Sequence, residues 1–211
     1  MQTLIIAVTG NEEKLGKKVQ KLVREKKYDE VIKALNKIKV PAGHQLSIHL
    51  YEETGEYRLG DECYLEIHTP NGLTFHDNQK EFWRLLNVEN SPEGAWQVYL
   101  LYNLWHYLPM FWHALYEKRT YVYSTEQLKK ASRYFPDFGD EPVQNFKPEK
   151  YDIYPVIWQE GDIWHVGANY WTDFGGLMYE ELKINLDGKV HVYSRPVSCK
   201  ALFRYNCGIC F

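Results

Sequence analysis

Four cysteines in 211 residues are too few for a scaffold held by disulfides. The opening "MQTLIIAVTG" lacks a basic leader, and its apolar run stops at Val8, short of a secretory core. Cys63, Cys199, Cys207 and Cys210 are therefore expected to be thiols in a cytoplasmic protein. The net charge of -3 is too small to indicate bulk nucleic-acid binding. Between Glu93 and Glu117 there is no Asp, Glu, Lys or Arg, a length that would cross a membrane. Yet Gln97, Asn103, His106, Pro109 and His113 are spread through its middle, and rings occur throughout instead of in two interfacial belts, so a span and a membrane partner are excluded. No internal repeat or low-complexity tract occurs.

Aromatic residues are plentiful at 16%, with 17 Tyr and 7 Trp, and hydrophobic residues reach 45%. A chain with that much to bury folds as one core, so residues 1–211 read as a single domain. A boundary, if present, would fall in the Pro-rich connector 136–155. Residues 1–40 carry ten Lys and Arg against five Asp and Glu, a net +5 that leaves -8 on the remainder.

The pattern predicts an α+β fold. "TLIIAV" is a short buried strand, followed by two N-terminal amphipathic helices, "NEEKLGKKVQKLVREKK" and "YDEVIKALNKI". From His44 to Asp77 apolar residues alternate, as in an antiparallel sheet built from hairpins. At "TPNGLTF" a two-residue Asn71-Gly72 loop would mix the faces, whereas a three-residue loop sets Ile67 opposite Phe75. "NQKEFWRLLNVEN" predicts a short helix. Ser91 and Pro92 start a long central helix over 93–117, interrupted at Pro109, and Ser124 caps another. The last third predicts two more hairpins, one turning at Glu160-Gly161 and one placing Leu186 opposite Val190 and Ile184 opposite Val192.

Several motifs resemble chemistry and fail on inspection. "TGNEEKLGKK" puts five residues between Gly10 and Gly16 where a phosphate loop needs four, and Lys18 stands where a magnesium-binding Ser or Thr belongs. "NCGIC" has redox spacing, but only Phe211 follows it, leaving no room for the helix such a thiolate needs. His44, His49, His68 and His76 fall in the first sheet, the last three on the face opposite the apolar one. They could bind a metal, but without a carboxylate of predictable position they read as a solvated face. The lysines of the first helices read as a solvated face as well, with acids interrupting the run and no interleaved aromatics. No metal and no cofactor is expected.

The long helix draws most attention. On a helical wheel Leu101, Leu104, Leu108, Phe111 and Leu115 form one stripe, and Ala95, Tyr99, Tyr102, His106, His113 and Glu117 form the opposite one. Pro109 would open a groove beside His106. Tyr99, Tyr102, His106, His113 and Glu117 are thus the candidate binding residues. The expected function is a non-catalytic protein-binding module, of the inhibitor or immunity type, presenting aromatic and acidic surface to another protein. The alternative is an enzyme or metal-binding protein with a small-molecule pocket beside the 93–117 helix, using His106, or His113 with Glu117, as acid and base or as metal ligands.

Overall fold

The computed structural model describes residues 4–7, 10–51, 62–107, 119–132, 146–172, 175–193 and 198–204. Its architecture is the expected α+β one, with antiparallel sheets made largely from hairpins. In chain order the described strands and α-helices are β1 (Leu4–Ala7), α1 (Gly10–Arg24), α2 (Tyr28–Ala34), β2 (Ile38–Lys39), β3 (Gln45–Tyr51), β4 (Glu62–His68), β5 (Thr74–His76), α3 (Lys80–Leu85), β6 (Asn87–Val88), α4 (Pro92–Tyr102), β7 (Arg119–Val122), α5 (Thr125–Ala131), β8 (Val156–Glu160), β9 (Ile163–Thr172), β10 (Gly176–Asn185), β11 (His191–Val192) and β12 (Ser198–Phe203). No described helix is long and apolar enough to cross a membrane.

The larger sheet is organised by the long β9–β10 hairpin. β8 and β7 lie end to end along the free edge of β9, and β11 and β12 along that of β10. Side chains alternate between its faces. Tyr121, Tyr170 and Leu182 join the main core, which also takes in Val19 and Val23 of α1, Trp96 of α4 and Ile67 of the small sheet β3–β4–β5. Val122, Trp171 and Leu177 join a second cluster, covered by Leu128 of α5 and by Phe146, Tyr151 and Ile153 from the connector.

Face matching predicts register well. Ile67 lies opposite Phe75 and Ile184 opposite Val192. A one-residue slip at either place would turn every apolar side chain outward. Ser91 and Ser124 cap α4 and α5, accepting hydrogen bonds from Gly94 N and Gln127 N at 3.1 and 3.3 Å. Gly94 is required by close approach, since a Cβ there would stand 1.9 Å from the carbonyl oxygen of Glu89.

Three expectations need correction. The turn expected at Glu160-Gly161 lies one residue later, because Glu160 still pairs with Ile163 and Gly161 takes the positive φ of 59° that a tight hairpin demands. The second amphipathic helix stops at Ala34 instead of Ile38, because Ile38 pairs with Val88 in β2–β6. The long helix is the third. α4 ends at Tyr102, well ahead of Pro109; Asn103 forms its C-cap, and a 3-10 turn, Leu104–Tyr107, follows. Pro109 lies outside the described residues. Asn103 keeps the helical bond from its N–H to Tyr99 O, its Nδ2 donates to the same carbonyl, and its Oδ1 is 3.0 Å from the Tyr121 hydroxyl of β7.

Candidate functional site

Of the five side chains singled out on the long helix, Tyr99, Tyr102 and His106 are described; His113 and Glu117 lie outside the described residues. The three do not form one stripe. Tyr99 is fully buried, Tyr102 is partly buried with its ring 5.9 Å from that of Trp83, and His106 belongs to the 3-10 turn. The wheel gave α4 one core face, but α4 is packed against β8, β9 and β10 as well as α1 and β2, so every residue from Gly94 to Leu101 is buried.

What Tyr99 meets is a carboxylate. Strand alternation places Arg119 and Tyr121 of β7, Tyr170 and Thr172 of β9, and Met178 and Glu180 of β10 on the sheet face toward α4. Glu180, only 2% exposed, accepts hydrogen bonds from the hydroxyls of Tyr99 and Tyr121 at 2.8 and 2.7 Å. Arg119 donates to its other oxygen at 2.9 Å, with the guanidinium 4.7 Å above the centre of the Tyr170 ring. A buried carboxylate is tolerated when a cation and hydrogen bonds replace its water, as here. Burial, followed by the Glu180 charge, raises the Tyr99 and Tyr121 hydroxyls well above the usual phenol range, so both remain donors. This network is structural.

Beside it the surface carries a dent of about 260 Å³ lined by Trp105, His106, Arg119, Tyr170, Thr172, Gly175 and Met178. His106 lines it from the 3-10 turn; the groove expected from a break at Pro109 concerns a residue outside the described ones. Burial, and then the Arg119 charge, hold His106 well below its ordinary pKa, so it is neutral at physiological pH. Arg119 is already paired with Glu180. The dent therefore offers rings, a thioether and hydrogen-bonding atoms with its charge internally balanced. At its rim Trp105 is 42% exposed, one of few large apolar side chains in that state among the described residues.

A larger groove, about 740 Å³, lies between α1 and α5 and carries Lys17, Lys21, Arg24 and Lys130. Its charge is partly answered locally, Lys17 pairing with Glu13 and Lys21 with Glu25 just past the end of α1. Among the described residues many of the aromatic side chains are core: Trp96, Trp171, Tyr99, Tyr121 and Tyr123 are the largest fully buried ones. Sequence reasoning missed Arg119, Tyr170 and Glu180, which reach the site only through strand pairing. Of the cysteines, Cys63 is a free thiol that burial, then the Asp77 charge, pushes up to about 12; Cys207 and Cys210 lie outside the described residues. Compared with protein-family models, curated proteins and solved structures, the chain finds no match.

Proposed function

We propose that this chain is a non-catalytic protein-binding module whose anchor point is the dent beside Trp105. The supporting observation is an exposed Trp at the rim of a concave site whose lining also includes Arg119 and the largely buried Tyr170, residue types that dominate binding hot spots. Since Arg119 is neutralised by Glu180 and His106 carries no charge, a charged partner group entering the dent would be left unpaired. An uncharged ring fits better. We assign the occupant as a Phe or Tyr side chain of another protein, packed between Trp105 and Met178, with Thr172 available to a polar tip. The anticipated acidic face contributes nothing to this reading, which rests on apolar burial.

The test uses the intact chain as bait in its source cell. A partner retained by the wild type and by Tyr154→Ala, which alters a 54% exposed ring elsewhere, is expected to be lost with Trp105→Ala. Retention that survives Trp105→Ala, or that vanishes steeply with salt and with charge reversal at Lys130, would move binding to the basic groove and overturn the assignment.

A further inference from the structure

The three histidines that read as a solvated sheet face enclose a carboxylate. In the register of β3–β4–β5, Glu66 on the central strand stands between Ser47 and His76, with His49 and His68 on adjacent positions of the same face. The opposite face, carrying Ile48, Leu65 and Ile67, is in the core. Glu66 is 3% exposed, whereas the side chains of His49 and His68 are 44% and 40% exposed. The carboxylate is thus anchored below two imidazoles that reach solvent.

Two of the three spacings match a coordination shell. His49 Nε2 and His68 Nε2 stand 3.4 and 3.2 Å from the same oxygen, Glu66 Oε2, and all three atoms lie within 4.8 Å of one another. Ligand atoms about 2.0–2.1 Å from a tetrahedral zinc ion are about 3.3–3.4 Å apart. Neighbouring groups orient the ligands. His68 Nδ1 is 3.1 Å from Thr74 Oγ1, so a proton held there leaves the Nε2 lone pair directed at Glu66. Ser47 Oγ lies 3.0 and 3.1 Å from the two Nε2 atoms and closes the cluster on the β3 side. His76 Nδ1 is buried without a hydrogen-bond partner, 3.4 Å from Glu66 Oε1. A carboxylate drawn onto an ion through Oε2 would turn Oε1 toward that nitrogen and satisfy it.

We propose that the outer face of this sheet binds one zinc ion through His49 Nε2, His68 Nε2 and Glu66 Oε2, with Thr74 and His76 as positioning residues. Among the described residues three protein ligands are within reach, the number that catalytic zinc sites combine with a water, whereas structural sites use four. The proposal revises the expectation of no metal and is independent of the Trp105 surface. It is tested by titrating zinc into the intact, chelator-stripped chain, read by calorimetry and by melting temperature. One ion per chain and a higher melting temperature are expected. His49→Gln and His68→Gln, at partly exposed positions, should each weaken binding roughly 100-fold or more while leaving the metal-free melting temperature unchanged, and His76→Gln about 10-fold. Absence of saturable zinc binding, or binding equally tight in His68→Gln, would overturn the assignment and, in the second case, place the ion elsewhere on the chain.

Discussion

Glu180 and Glu66 are both buried carboxylates on interior strands of their sheets, and they differ in what surrounds them. Glu180 is held by two phenols and a guanidinium, groups that keep their protons throughout the physiological range. Glu66 faces three imidazoles, side chains whose ring nitrogens ligate metals. The first environment fixes one geometry, locking α4 to the sheet. The second gathers ring nitrogens around the carboxylate and leaves the His49 and His68 rings partly in solvent. Burial alone therefore says little about the role of an acid; the chemistry of its partners separates a structural lock from a ligand set.

That contrast can be broken most forcefully at Glu180. Replacing it with Ala strands Arg119 and two phenols in the interior, and chemical denaturation is expected to show a loss of about 3–5 kcal/mol. Tyr99→Phe removes one donor from the buried carboxylate and should cost about 1–3 kcal/mol in the same measurement. Neither should alter zinc affinity. The pH dependence sharpens the comparison further. Native His106 is held below its unfolded pKa, so between the two values the unfolded chain binds the extra proton. Its contribution to stability is complete above about pH 6.5 and is lost as pH falls, by up to about 1.4 kcal/mol per pH unit. Denaturant midpoints taken from pH 7 to pH 5 should fall more steeply for wild type than for His106→Gln. The smallest stability effect belongs to Trp105→Ala, within about 0.5 kcal/mol, because that ring is partly in solvent; its consequence should appear in partner affinity.

Much of the fold was legible from patterning. Alternation placed Ile67 against Phe75 and Ile184 against Val192, and the two serine caps were read from residue type alone. The long helix was less legible. Periodicity identifies one apolar face, but α4 lies inside the molecule, where the buried Tyr99 hydroxyl donates to Glu180, 81 residues further along the chain. Nothing local in α4 announces that partner. The Glu66 cluster was different, since its signal lay in a register already deduced. Once Ile67 is opposite Phe75, Glu66 must be opposite His76 and share a face with His68. The carboxylate missing from the histidine face was thus within reach of strand arithmetic.

The most direct measurement of the contrast between the two acids is the zinc-induced rise in melting temperature, compared among wild type, Tyr99→Phe and Glu66→Gln. Wild type and Tyr99→Phe are predicted to show the same rise from different baselines, because the lock and the ligand set are separate, and Glu66→Gln is predicted to show none. A rise that persists in Glu66→Gln, or that disappears in Tyr99→Phe, would contradict the roles assigned to the two carboxylates.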